Sequence, residues 1–153
     1  MGGSITHPDV DRFFVGRLLL GRALGALGAA YDPALNPLGL TFHELTLLLN
    51  CARREANTPV KLAELNGLDV STISRMVDRI ERKGLVIRER SREDRRQVIL
   101  RVTPKGRAIL RRAVPVAQRV ALAAWRGVTR QERRTLRNLV RKILKNVGQT
   151  QGT

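Results

Sequence analysis

The segment PVKLAELNGLDVSTISRMVDRI, residues 59–80, decides the fold of this chain. Within it, Ala63 precedes Gly67 by four residues and Ile73 follows Gly67 by six. A small side chain at position 63 lets two helices cross closely, and Gly67 permits the positive φ that a tight turn needs. Apolar residues at helical spacing supply a buried seam: Leu62, Leu68, Ile73, Met76 and Val77. This pattern predicts a helix-turn-helix, the motif whose second helix lies in the major groove of DNA.

The second helix of the motif has two distinct faces. Its apolar residues share one face, which must point to the core: Ile73, Met76, Val77 and Ile80. Short hydroxyl side chains at the start of the other face, followed by arginine, suit close approach to base edges. The predicted DNA-contacting residues of this helix are Ser71, Thr72, Ser74, Arg75 and Arg79. The alternative is an ordinary amphipathic helix with a charged face in water.

A β-hairpin is predicted directly after this helix, in RERSREDRRQVILRVT, residues 88–103. Val98, Leu100 and Val102 alternate with outward positions, as a half-buried strand requires. An arginine on the narrow tip of such a hairpin can enter the minor groove, and Asp94 can orient a neighbouring guanidinium. The tip residues predicted to contact DNA are Arg92, Asp94, Arg95 and Arg96. The alternative is a hydrophilic hairpin with local ion pairs of little energetic value.

The composition narrows the class of partner. The chain has 153 residues, of which 42% are apolar, and this suits one domain with a hydrophobic core. Its formal charge of +16 favours nucleic acid first and an anionic membrane second. No apolar run approaches the length of a membrane span, so we expect double-stranded DNA and no membrane partner. One cysteine and the absence of a basic segment in residues 1–9 favour a cytoplasmic protein.

Helix start and stop signals organise the rest of the chain. We expect a mainly α protein with a small β-hairpin wing: four helices, the hairpin, and two more helices. The predicted regions are an N-terminal dimerisation helix and connector (1–40), a winged helix-turn-helix (41–103) and C-terminal dimerisation helices (104–153). The connector begins at about Tyr31, and Pro115 should kink the helix that follows the hairpin. The first helix exposes more apolar surface than a small monomer needs, which indicates a subunit interface.

The run RIERKGLVIRERSREDRRQVILRVTPKG, residues 79–106, together with the helix-turn-helix, resembles the MarR family of winged-helix transcription regulators. The likeness extends by motif from about Leu40 to Arg112. The positions that match the family's wing pattern are Asp94, Arg96, Leu100, Val102 and Thr103. The glycine-rich first helix and Pro115 depart from that pattern. The resemblance implies an obligate homodimer that represses or activates nearby genes, with DNA binding often relieved by a small phenolic or lipophilic ligand.

The resemblance also places an effector pocket between the dimer helices and the DNA-binding region. Candidate lining residues are Phe13, Leu47, Cys51 and Trp125, and the alternative for each is a simple core position. Some family members sense oxidants through a cysteine of the first helix, but Cys51 belongs to a later helix. We therefore interpret Cys51 as a packing residue.

Other function classes fit the sequence less well. There is no HExxH, CxxC or paired-histidine spacing, so we expect no metal, no cofactor and no enzyme. A non-specific architectural DNA-binding protein would need the charge but not the short polar side chains at a helix tip. A winged helix used only for protein contacts would not need a charge of +16. RNA binding fits the charge, but aromatic residues for base stacking make up only 3%.

Overall fold

The structure is a computed structural model that describes residues 8–53, 57–91 and 97–150, and side chains from residue 16 to residue 148 within those ranges. In chain order the elements are α1 (Pro8–Leu35), a 3-10 turn (Asn36–Leu38), α2 (Phe42–Arg53), α3 (Pro59–Asn66), α4 (Val70–Arg82), β1 (Val86–Arg90), β2 (Val98–Val102), α5 (Pro104–Ala124) and α6 (Arg130–Thr150). The predicted class, mainly α with a small β-hairpin wing, is confirmed.

The helix-turn-helix is α3 and α4. Thr58 caps α3 by accepting a hydrogen bond from the Lys61 N–H, with Pro59 as the first helical residue. Gly67 ends α3 in the left-handed conformation at φ 62°, as the turn requires. Ala63 and Leu62 are buried, and the apolar face of α4 packs into the same core. The sequence prediction of this motif is therefore correct in position and in turn chemistry.

The first helix runs further than its sequence indicates. Residues from Tyr31 onward were expected to form a connector, but α1 continues to Leu35 with Pro33 inside it. Packing explains the difference, because Tyr31 and Leu35 are buried and the Tyr31 ring stacks on Phe42 at 4.2 Å between centroids. Asp32 Oδ1 accepts a hydrogen bond of 2.8 Å from the Phe42 N–H. The end of α1 is thus joined to the start of α2 by burial and by a cap.

The hairpin is a two-stranded antiparallel sheet with Val86 opposite Val102 and Arg90 opposite Val98. The Ser91 N–H donates to the Gln97 carbonyl at 2.9 Å, which closes the last described pair before the tip. On the other edge of β2, the Leu100 N–H donates to the Asn57 carbonyl at 2.7 Å. This edge bond attaches the hairpin to the segment between α2 and α3.

The start of α5 lies against the base of the hairpin. The Thr103 hydroxyl donates to the Gly84 carbonyl at 2.7 Å and accepts from the Gly106 N–H at 3.0 Å. A Cβ atom added to Gly106 would lie 2.2 Å from the Leu85 carbonyl oxygen. Only glycine fits this approach of two backbones. The helix then continues through Pro115 to Ala124, and Gly127 follows it at φ 78°.

The chain divides into two compact units, residues up to Val120 and residues from Ala121. The first unit contains the buried core formed by α2, α3, α4, the hairpin and parts of α1 and α5. The predicted boundaries at residues 40 and 103 stay predictions. In the ranges that the structure describes, no helix is both long and apolar enough to cross a membrane.

Candidate nucleic-acid interface

From Ile73 onward, the apolar residues of α4 are buried and its charged residues are exposed or half-buried. Ile73, Val77 and Ile80 are fully buried, whereas Ser71, Arg75 and Arg79 are exposed. Thr72 and Ser74 are half-buried at the border between the two faces. All five residues that the sequence predicted for DNA contact therefore lie on α4, three of them on its exposed face. The helix can present them to a groove without loss of core packing.

The N-terminus of α4 is organised by Asp69, which the sequence reasoning did not single out. Its carboxylate accepts from the Thr72 N–H at 2.8 Å, from the Thr72 hydroxyl at 2.7 Å and from the Ser71 hydroxyl. These bonds, first from Ser71 and then from Thr72, hold the pKa of Asp69 well below its usual range. The sequence does contain a signal for this cap, because Asp69 immediately precedes the helix and aspartate is a favoured N-cap residue.

The C-terminus of α4 is anchored by a buried carboxylate. Glu44 is 2% exposed, and both its oxygens accept from Lys83 Nζ at 2.8 Å. Lys83 Nζ also donates to the Gly39 carbonyl at 2.9 Å, and Arg79 Nε lies 3.8 Å from Glu44 Oε1. The same carboxylate accepts from the Thr41 N–H at 3.0 Å, and the Thr41 hydroxyl accepts from the Glu44 N–H at 3.3 Å, so the two residues form a capping box. One acid therefore joins the start of α2, the preceding connector and the end of α4.

The hairpin is tied to the polar side of α4 through Arg88. Its guanidinium donates to Asp78 and to Glu81, one carboxylate on each of two successive turns of the helix. On the hairpin itself, Arg101 donates to Glu89 of the opposite strand. The pairs are partly exposed, so each contributes little to stability, but the forked contact of Arg88 orients β1 along α4. The sequence does not predict the contacts of Arg88 with Asp78 and Glu81, because Arg88 lies on the hairpin and the two acids lie on α4.

The predicted contact residues of the hairpin tip, Arg92, Asp94, Arg95 and Arg96, lie outside the described residues. The DNA contacts predicted for these four residues stay predictions.

Three of the four predicted effector residues have described side chains, and their grouping into a pocket stays a prediction. Leu47 is fully buried in α2, and Trp125 is half-buried in the second unit. The side chain of Phe13 lies outside the described residues. Cys51 is buried and borders a cavity of about 70 Å³ lined also by Asn57, Leu100 and Arg107. Burial raises the pKa of the Cys51 thiol to about 12, which agrees with its interpretation as a packing residue.

Across residues 8–53, 57–91 and 97–150, no group of three or more His, Cys, Asp or Glu side chains could hold a metal ion. The interface is instead defined by an exposed polar helix face with a β-hairpin attached beside it.

Comparison with known proteins identifies this arrangement. Residues 38–97 match the model of the MarR family. The chain is 35% identical over 86 residues to the organic hydroperoxide resistance transcriptional regulator of Bacillus subtilis, a match that spans 58% of that protein and 56% of this chain. It is 30% identical over 130 residues to the multiple antibiotic resistance protein MarR of Escherichia coli, which covers 82% of this chain and 90% of that protein.

Two solved structures share the fold. A mutant MarR from E. coli complexed with operator DNA has a TM-score of 0.78 and 26% identity, covering 91% of this chain and 99% of that one. CouR from Rhodococcus jostii, bound to p-coumaroyl-CoA, has a TM-score of 0.71 and 28% identity, covering 84% and 88%. These relatives are regulators and not enzymes. The chain therefore belongs to the MarR family of winged-helix transcriptional regulators.

Proposed function

We propose that this protein is a homodimeric, sequence-specific regulator of transcription, a repressor whose binding to double-stranded DNA is relieved by a small aromatic or lipophilic effector. The observation that carries the proposal is the exposed polar face of α4, with Ser71 and Arg75 outward and the hairpin attached by Arg88. A helix of this kind reads base edges in the major groove, and a hairpin beside it reaches the neighbouring minor groove.

The net charge of the chain and its similarity to a DNA-bound relative support the proposal that it binds DNA. A formal charge of +16 attracts phosphates over the whole length of a binding site. The E. coli relative of the same fold was solved with operator DNA. Its match covers 91% of this chain.

Exposed apolar side chains support the homodimer. In α1, Leu18, Leu19 and Leu24 are 56–70% exposed. In α6, Leu139 and Leu144 are 54% and 65% exposed. Full burial of an exposed leucine side chain is worth roughly 1.5–3 kcal/mol, so an interface that covers these partly exposed leucines is favoured. A second copy of the chain would cover them, with α1 and α6 as the predicted dimerisation helices.

The proposal of a small-molecule effector rests on the similarity to a ligand-bound relative and on the predicted pocket. CouR was solved with p-coumaroyl-CoA bound, an aromatic acyl thioester. The residues proposed to line a pocket here remain Phe13, Leu47, Cys51 and Trp125. Aromatic acids added to a protein–DNA complex should release the DNA if the proposal is right.

The deciding experiment is footprinting on the DNA upstream of the protein's own gene, with a random duplex of equal length as control. We expect two protected half-sites about one helical turn apart, roughly 10 bp between centres. Equal affinity for both duplexes would favour an architectural DNA-binding protein, and no binding to either at low salt would favour a winged helix used for protein contacts. A reporter gene behind the protected site tests the sign of regulation.

Two substitutions separate the roles of helix and hairpin. Arg75→Ala should relax specificity at one base pair of each half-site, at a cost of about 1–3 kcal/mol. Arg96→Ala should instead weaken binding to all sequences and reduce the salt dependence, as loss of a minor-groove or phosphate contact does. Unchanged affinity of Arg96→Ala at moderate salt would contradict the proposed hairpin contact.

A further inference from the structure

The first residue of α4 is an exposed valine. Val70 is 45% exposed at the tip of the helix, beside Ser71 and the Asp69 cap. Val70 lies one turn before Ile73 on the apolar side of α4, and it is the residue of that side whose surface is left partly open at the start of the helix. Sequence analysis assigned it no role. An apolar side chain at the leading end of a helix that enters the major groove has one apolar group to meet there, the C5 methyl of thymine.

The hydroxyl beside it has a fixed hydrogen-bonding character. A serine hydroxyl has one proton and two acceptor lone pairs. The Ser71 hydroxyl donates to Asp69 Oδ1, and the Thr72 hydroxyl donates to Asp69 Oδ2 at 2.7 Å. A carboxylate only accepts, so both hydroxyl protons are committed to Asp69. The outward Ser71 oxygen is therefore left as an acceptor, and it can meet only a donor on the DNA.

These two properties match one kind of base pair. In the major groove, an A·T pair presents the adenine N6 amino group, a donor between the acceptors adenine N7 and thymine O4, and the thymine methyl group at its outer edge. A G·C pair presents the two acceptors of guanine and the cytosine amino group, with no methyl. We propose that the first turn of α4 reads an A·T pair in each half-site, with the thymine methyl against Val70 and the adenine amino group donating to Ser71 Oγ.

Asp69 sharpens the choice. A carboxylate at this position repels O6 of guanine, the acceptor that stands where adenine has its N6 amino group, and it favours an amino group there. Ser71 could donate to guanine only by breaking its bond with Asp69. The bonds that lower the pKa of Asp69 also keep it ionised at neutral pH. Asp69 is thus a positioning residue: it sets which atoms of Ser71 face the DNA.

The inference rests on the proposed function, and its test uses the operator found by footprinting. Each thymine of the operator is replaced by uracil, which removes only the methyl group, and each adenine by purine, which removes only the amino group. We expect one base pair per half-site at which each change weakens wild-type binding about fivefold. Val70→Ala should lose the response to uracil and keep the response to purine, and Ser71→Ala should do the reverse.

The outcomes are distinct. If no specific operator exists, the proposed function fails and the inference fails with it. If an operator exists but no uracil or purine position responds, the inference alone is wrong. It is also wrong if Val70→Ala responds to uracil as strongly as the wild type does. Both replaced side chains are outside the core, so the variants should fold, which circular dichroism checks.

Asp69→Asn provides an independent test of the hydroxyl argument. Asparagine caps helices about as well as aspartate. Its amide N–H₂ can also donate a hydrogen bond to Ser71 Oγ, and the Ser71 hydroxyl is then free to donate to the DNA. On duplexes with the identified A·T pair changed to G·C, this variant should lose at least half of the wild-type discrimination. Unchanged discrimination would contradict the role given to Asp69.

Discussion

Helices α4 and α6 carry the same kind of sequence and meet different surroundings. Both are amphipathic and rich in arginine, and both begin with a side-chain cap, Asp69 in α4 and the Thr129–Glu132 capping box in α6. Yet Ile73 and Ile80 of α4 are fully buried, whereas Ile143 and Leu144 of α6 are 49% and 65% exposed. Local signals therefore specify a helix, and only tertiary packing decides whether its apolar face is covered.

The difference separates two tasks within one chain. The apolar face of α4 is covered by α3 and β1 of the same chain, and this leaves its polar face outward. The face of α6 has no such cover among the described residues of its own unit. The first region is complete as a monomer, and the second fits an assembly with another copy. The four predictions that follow test this contrast.

The largest effect is expected from truncating the buried face. Ile80→Ala should lower the free energy of unfolding by about 2–5 kcal/mol, because it removes buried methyl groups and leaves a cavity. The matched control is Ile143→Ala on α6, where the side chain is half exposed. Denaturant titrations at several protein concentrations distinguish the two. An equal loss in both variants at every concentration would contradict the contrast.

The next effect concerns the exposed face of α6. Leu144→Glu should weaken self-association about 100-fold, since it replaces an apolar contact by a charge in the proposed dimer surface. Analytical ultracentrifugation measures the dissociation constant, with Asn138→Glu as the control for the added charge on the same helix. The variant should keep the circular dichroism of a folded chain. A dimer as tight as the wild type would show that this face does not form the interface.

A smaller effect is expected at the buried carboxylate. Lys83→Met removes the cation that lies 2.8 Å from the buried carboxylate of Glu44. The free energy of unfolding should fall by about 2 kcal/mol, a loss limited by Arg79, whose Nε stays 3.8 Å from the same carboxylate. Arg82→Met, one position earlier and exposed, should change stability little. Thermal unfolding of both variants gives the comparison, and similar melting temperatures would mean that Glu44 does not anchor α4.

The smallest effect is a pH dependence shared by both caps. The folded-state pKa of Asp69 lies below its unfolded value of about 3.9. Its stabilisation is therefore fully present above that unfolded value and is lost as pH falls through the folded pKa. The melting temperature of the wild type minus that of Asp69→Asn should shrink below about pH 4. Glu132→Gln should behave alike, because the bonds from Thr129 lower the pKa of Glu132 in the same sense.

Much of the fold was predictable because its signals are local. Gly67, the Thr58-Pro59 start of α3 and the alternation of Val98, Leu100 and Val102 each lie within a few residues of the structure that they specify. The extension of α1 to Leu35 was not predictable in this way, since the burial of Tyr31 and Leu35 outweighs the proline signal.

The outward positions of α4 were predictable from the sequence, but the side-chain pairs that connect α4 to other elements were not. The outward positions of Ser71 and Arg75 follow from the helical period, and the structure agrees. The pairs Glu44–Lys83 and Arg88–Asp78 join residues on different elements, at 39 and 10 positions of separation. No local pattern specifies such a pair. Arg79 illustrates the consequence, because a residue assigned to DNA also lies near the buried carboxylate of Glu44.

Gly106 has a mechanical consequence. At this position the backbone of α5 meets the carbonyl of Leu85 directly, and no side chain stands between them to yield or change rotamer. Two main chains in contact behave as a rigid joint. A tilt of the first turn of α5 must therefore move the base of the hairpin as well, so the orientation of the wing is coupled to the orientation of this helix.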